Sequence, residues 1–366
     1  MRAFAFLMLI AASVCAQEAD SGFELRTTLS AVSSYSPEFS EPPRNGSEVT
    51  GGFRAILYPT WKLNSHWTIS GAMQVHSRPY FQEEFDTQGY GVKSDLLQLN
   101  LGYSRFWERN RSLVVRVGQL SSAFGAFLQR YDSADNPLIG VPSAYGYYYK
   151  PVTFLGLVGA QVDATAGKLD ARAQFVNSSP ANRRSIFESD QYGNWAGGLG
   201  YTIRQGLRVG GSAYYGPYLD RRYPFFFPGE ANPRDLPGSA YGLDVEWGAG
   251  HWNAWGELQH FQMDYRAIPT FTQHMGYVEA RRTLNPRWYG AVRVGYLRAN
   301  AFAGSQTYEF AAGFRANTHQ LVKFGYTIQQ GVAYPGTQGN IAAIEFVLRH
   351  PHWRLSLQTH KLSGLR

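Results

Sequence analysis

Beyond its first sixteen residues the chain is written in stretches of about ten residues in which apolar side chains alternate with polar or small ones, each stretch closed by a turn. In WTISGAMQVH, Trp67, Ile69, Met73 and Val75 oppose Thr68, Ser70, Gln74 and His76; in DLLQLNLGYS, Leu97, Leu99, Leu101 and Tyr103 oppose Gln98, Asn100, Gly102 and Ser104. A period of two places each set on its own face of a strand, and no segment sustains a helical period. The connections come in two alternating kinds. Short ones fall at 63–66, 108–112, 204–206, 248–251, 284–287 and 317–319; long ones fall at about 36–50, 79–92, 121–150, 178–192, 217–237, 263–271, 299–306 and 330–339. Short turns on one rim and long loops on the other describe a transmembrane antiparallel up-and-down β-barrel, its turns periplasmic and its loops extracellular.

The low charge supports the same class. Only 17% of the 366 residues are charged, against roughly 25% in soluble domains, while aromatics reach 15%. The longest apolar run after residue 16, FLGLVGA from Phe154 to Ala160, is far below the roughly 20 residues a spanning helix needs. Strands that hide polarity on alternate positions reconcile the two facts. Residues 1–16, with Arg2, an apolar core and small residues ending at Ala16, read as a signal peptide, leaving 17–366 as one barrel domain. The sole cysteine, Cys15, falls inside that leader; a lipidated, retained Cys15 is the other reading.

Seventeen strand candidates can be counted. Single-chain barrels normally have an even number, so sixteen strands are expected, with eighteen as the alternative; sixteen leaves the tail after Pro351, WRLSLQTHKL, outside the wall. Aromatics collect near strand ends, among them Tyr58, Trp61, Trp67, Phe106, Trp107, Trp247, Trp252 and Trp288, as membrane interfaces favour. A soluble β-sandwich or propeller would not explain the rhythm of short turns and long loops.

If the apolar set faces lipid, the other set lines a lumen. It supplies Arg54, Arg116, Arg172, Arg208, Arg293, Arg315 and Lys323, with Arg26 and Arg354, and the carboxylates Glu24, Asp170, Asp244, Glu246, Glu257, Glu309 and Glu345. Such charge demands water or partners. The slight cationic excess leans towards small anionic or polar solutes. The segment 121–150 is the longest connection, and loops of that length are usually functional. It is expected to fold into the lumen and narrow it, offering Arg130, Tyr131, Asp132, Asp135 and Lys150, with Gly125 as its turning point. A loop that merely braces the wall is the plainer alternative.

Other chemistries find little support. The nine histidines sit mostly at strand ends, His350 and His352 flank Pro351 without further ligands, and no metal or cofactor is expected. Asp132 and Asp135 are not spaced for hydrolysis, so no enzyme is expected. The GGLG run at 197–200 lies within a strand and opens no phosphate-binding helix. The net charge of +7 shows no basic patch interleaved with aromatics, so nucleic acid is not a partner.

At VRVGQLSSAFGAF, NPLIGVP, GLVGAQVDATAGKLDARAQFVNSSP and GLRVGGSAYYGP the sequence resembles bacterial outer-membrane porins of the phosphate-selective type. The resemblance spans roughly residues 113–217. It implies a sixteen-stranded channel in the outer membrane of a diderm bacterium, a homotrimer surrounded by lipid and lipopolysaccharide, with an inward-folded constriction loop. It does not bring a phosphate site, because Asp132 and Asp135 stand beside Arg130 where that family concentrates cations. The expected function is passive diffusion of small hydrophilic solutes with a mild anion preference; the alternative is a barrel-anchored receptor or adhesin acting through long loops such as 218–238.

Overall fold

The computed structural model describes residues 21–40, 46–77, 91–107, 110–146, 156–177, 193–218, 235–266, 268–300, 302–331 and 339–355. Sixteen strands follow one another: β1 (Gly22–Tyr35), β2 (Val49–Lys62), β3 (Trp67–Ser77), β4 (Val92–Trp107), β5 (Arg111–Leu120), β6 (Leu157–Ala166), β7 (Leu169–Val176), β8 (Asn194–Arg204), β9 (Leu207–Pro217), β10 (Pro237–Ala249), β11 (Trp252–Met263), β12 (Phe271–Thr283), β13 (Trp288–Ala299), β14 (Phe302–Arg315), β15 (Gln320–Gly331) and β16 (Gly339–Leu355). Each pairs antiparallel with its chain neighbours, and β1 pairs with β16 to close the ring. Closure leaves no strand edge with unpaired amides, which a lipid environment would penalise. An eleven-residue strand such as β8 or β9, tilted by about 45°, spans roughly 25 Å of bilayer.

The alternation read from the sequence is the alternation of the wall. In β1, Thr28, Ser30, Val32 and Ser34 are buried inside, whereas Leu29 and Tyr35 are exposed outside. The outward face carries Leu199, Leu243, Leu258, Val278, Val294, Phe310 and Phe346, each at least 44% exposed. Phe106, Trp107, Trp252, Leu284 and Trp288 sit exposed at the short-turn rim. An apolar belt of this extent suits hydrocarbon, not water.

Three details depart from the expectations. The segment after Pro351 is not outside the wall: Trp353, Arg354 and Leu355 pair with Leu25, Glu24 and Phe23 as the end of β16. The register breaks between Leu25 and Thr27, where β16 carries an extra residue, and Pro351, which has no N–H to give, falls in that irregularity. The long connection expected at 299–306 is largely strand: β13 runs to Ala299, β14 begins at Phe302, and Ser305 is a buried inward-facing strand residue rather than a loop residue. Leu97, expected on the lipid face, is 4% exposed and packs inside with Ile56 and Ala72, since the β3–β4 register shifts between Ala72 and Met73 and leaves Leu97 without a directly paired residue.

The largest buried cluster lies inside the ring. Phe124, Phe127 and Tyr145 from the connection after β5 pack against Tyr214, Phe261, Met275, Tyr277 and Leu297 from the wall. Burying a phenylalanine side chain of this kind stabilises by about 1.5–3 kcal/mol, so the loop is held as firmly as an element of a soluble core.

Candidate functional site

Residues 121–146 leave β5 and enter the lumen. Near the root Gln98 Nε2 donates to Ser121 Oγ (2.7 Å), and Gln174 Oε1 on β7 accepts from the Ala123 N–H (3.0 Å). At Gly125 the chain turns with φ of +81°; a Cβ there would overlap the Tyr145 hydroxyl and come within 2.8 Å of Glu257 Oε1, so only glycine fits. Its amide donates to Ser212 Oγ on β9 (3.2 Å), and the Ala126 amide donates to Glu257 Oε1 on β11 (3.2 Å). Tyr145 Oη closes this corner by donating to the Glu257 carboxylate at 2.6 Å. Burial and the adjoining carboxylate push the Tyr145 phenol well above its ordinary pKa.

The next residues cross the barrel. Arg130 pairs with Glu279 on β12 and lies 4.2 Å over the Trp255 ring, while the neighbouring Tyr131 donates its hydroxyl to Gln74 Oε1 on β3 (2.8 Å). Strands β12 and β3 are seven positions apart around a ring of sixteen, so consecutive residues reach nearly opposite walls. The tip then fills the side of the lumen facing β13, β15, β16, β1 and β2. Asp132 Oδ2 accepts from Thr28 Oγ1 and Tyr58 Oη, both at 2.8 Å; Arg54 donates to Ser133 Oγ; Lys323 Nζ donates to the Ser133 and Leu138 carbonyls at 2.7 and 3.0 Å. Tyr289 Oη donates to the Pro137 carbonyl (3.0 Å), and Arg293 Nη2 to the Gly140 carbonyl (3.0 Å).

Ionic contacts weld this side together. Glu279, with no exposed side-chain surface, lies between Arg130 and Arg293, whose Nε is 3.1 Å away; Arg293 in turn approaches Glu309 at 3.5 Å. Lys323 pairs with Glu345 at 2.9 Å with both side chains fully buried. A buried charge costs several kcal/mol to desolvate, so these groups depend on one another. The Asp135–Arg349 pair at 3.1 Å is different: both side chains are more than a third exposed.

The predicted site residues therefore divide. Arg130, Tyr131, Asp132 and Asp135 do come together in the lumen, but they turn towards the wall and anchor the loop instead of presenting opposed charges to a passage. Lys150 lies outside the described residues. Arg54, Arg293 and Lys323 face inward as expected, yet at 4%, 1% and 0% exposure they are sealed beneath the loop and line no open space. Arg315 also points inward, stacked 5.3 Å from the Tyr289 ring. Arg116, Arg172 and Arg208 face inward from the wall the tip does not cover. Arg116 pairs with Asp163; Arg208 binds Asp170 through Nε and Nη2 (2.9 and 2.7 Å) and Asp244 through Nη1 (2.6 Å). Gly200 makes this fork possible, since a Cβ there would overlap the Arg208 guanidinium. Among the described residues no hydrogen bond or ion pair engages Arg172, which acts on Asp170 only through space. Of the anchoring carboxylates, the sequence reading placed Glu257 on the inward face and missed Glu279; the loop partners of both lie more than 110 residues away.

Compared with solved structures, this arrangement aligns along nearly whole chains. The chain superposes on OmpT, an outer-membrane protein of Vibrio cholerae, with a TM-score of 0.60, 11% identity, and 91% and 99% of the two chains covered. The fold is porin-like. Salmonella typhi OmpF gives 0.61 at 8% identity over 90% and 98%, and the anion-selective porin from Comamonas acidovorans 0.56 at 10% over 91% and 98%. No protein-family model matches the sequence, and no curated protein does. At these identities the likeness carries the barrel and not a family, so the resemblance to phosphate-selective porins remains an expectation.

Proposed function

We propose that this chain is an outer-membrane porin, a passive diffusion channel for small hydrophilic solutes. The observation that carries the reading is the loop 121–146, drawn across the lumen and fastened to walls nearly opposite one another. A barrel serving only as an anchor has no need of an internal loop that divides its bore. Solutes pass through the part of the lumen that the loop tip leaves uncovered, along the inward faces of β5–β10 on the short-turn side of the docked segment Ser121–Arg130. There Arg116 with Asp163, Arg172, and Arg208 with Asp170 and Asp244 keep both signs of charge wet, and weak selectivity follows. Arg172 supports the mild anion preference: of Arg116, Arg172 and Arg208 it is the one whose charge no bonded carboxylate among the described residues offsets; Glu246 lies nearer the short-turn rim. A structural neighbour from Vibrio cholerae in trimer form supports reading the chain as a homotrimer.

Planar-bilayer recording of the purified protein tests the channel. Discrete conductance steps are expected, with a reversal potential in a salt gradient displaced to the anion-selective side. A second reading, a receptor or adhesin anchored by a closed barrel, draws on the burial of the loop tip. Absence of any conductance from folded protein would favour it.

A further inference from the structure

We propose that His260 and His274 form a site for a borderline divalent metal ion, with Zn2+ the fitting occupant, on the outward face near the long-loop rim. The two residues are fourteen apart, but the β11–β12 hairpin pairs them directly, in the same register that pairs Met263 with Phe271. Both alternate outward, His274 exposed and His260 half-buried. Their rings are 4.7 Å apart between centroids, and Nδ1 faces Nδ1 at 3.3 Å.

Two neutral imidazoles can share one N–H between these nitrogens at 3.3 Å. Two nitrogens each about 2.0–2.1 Å from one tetrahedral Zn2+ stand about 3.3–3.4 Å apart. The bite that serves the shared hydrogen bond is thus also the bite a metal requires. Among the described residues no third His, Cys, Asp or Glu joins the pair. Two positions are thus left to water or an incoming oxygen ligand. Nitrogen donors alone select Zn2+, Ni2+ or Cu2+ over the oxygen-seeking Mg2+ and Ca2+. The charged and titratable neighbours are Tyr241, across from His260 on β10, and Arg298, across from His274 on β13. Arg298 is exposed, so its like charge is largely screened. Tyr241 and Tyr296, both exposed, place the pair at an interfacial level that water reaches.

The test is calorimetric titration of untagged, folded barrel in detergent with Zn2+, and with Mg2+ at the same concentrations. Saturable binding of one Zn2+ per chain is expected, weakening as pH falls from 7.5 to 5.5 because the ligands must be neutral. His260→Ala and His274→Ala should each weaken it by at least about tenfold. His251→Ala, at the opposite rim, should leave it unchanged, and far-ultraviolet dichroism verifies that each variant keeps its strands. Co2+ in place of Zn2+ should give visible absorption bands that both alanine variants lose. Failure of Zn2+ to bind saturably, equal response to Mg2+, or binding unchanged in both variants would each overturn the proposal. None of these outcomes depends on whether the barrel conducts.

Discussion

Replacing Glu279 with Gln removes one charge and almost no volume from the place where the loop is fastened most strongly. In the native protein that carboxylate holds Arg130 of the loop and Arg293 of the wall, and neither the Glu279 nor the Arg293 side chain is exposed. After substitution Arg293 keeps only the more distant Glu309 at 3.5 Å and the Gly140 carbonyl, and Arg130 loses its ion pair. Breaking a buried pair costs about 3–5 kcal/mol, and since glutamine still accepts one hydrogen bond the low end applies. About 3 kcal/mol raises the undocked fraction of the loop by about two powers of ten. The sixteen-stranded ring closes without this contact, so the cost falls on the loop and not on the fold. Hydrogen exchange across residues 121–146 and limited proteolysis should report the release, and single-channel current should become noisier with a larger mean step. Asp135→Asn is the control: its pair with Arg349 is more than a third exposed on both sides, and such pairs contribute about 0–1 kcal/mol. Equal effects of the two substitutions, or native exchange rates in the Glu279 variant, would refute the claim that buried charge docks the loop.

Three further outcomes are expected from the same geometry. Gly125→Val should weaken the loop's protection against protease, because a side chain at φ of +81° collides with Tyr145 and Glu257. Arg172→Gln should move the reversal potential in a salt gradient towards cation selectivity while Arg293→Gln leaves its sign unchanged; the reverse result would put the passage on the other side of the loop. Tyr145 gives a pH signature: its folded-state pKa lies above the unfolded value near 10, so its contribution is fully present below pH 10 and is lost only as pH rises further. Loop protection should be flat from pH 7 to 9 and fall beyond pH 10, and Tyr145→Phe should blunt that alkaline fall.

The sequence exposed the wall far better than the interior. Strict alternation at Leu29, Leu199, Leu243 and Phe310 is imposed by lipid on one side and water on the other, and no long-range information is needed to read it. Where a bulge intervenes the reading fails: at Leu97 and at Pro351 one additional residue flips or re-pairs its successors along the strand. Small polar residues misled at 299–306, since Ser305 fits an inward strand face as well as a loop. Within the site the loop's identity was legible from its length. The orientation of its charges was not. Arg130, Asp132 and Asp135 look alike in sequence whether they face a passage or a wall, and the choice is made by Glu279, Tyr58 and Arg349, residues far away in the chain. The His260–His274 pair emerges only once the hairpin register is fixed.

The proposed channel requires that residues 121–146 border the conducting path. Gln129 is the exposed residue on the segment between the Glu257 corner and the crossing at Arg130, and Cys15, in the expected leader, is the sole cysteine of the chain. Single-channel recording of Gln129→Cys during addition of a charged, membrane-impermeant thiol reagent should show a lasting stepwise fall in conductance, reversed by reductant. Open channels whose current ignores the reagent, with labelling verified by mass, would place the loop away from the conducting path.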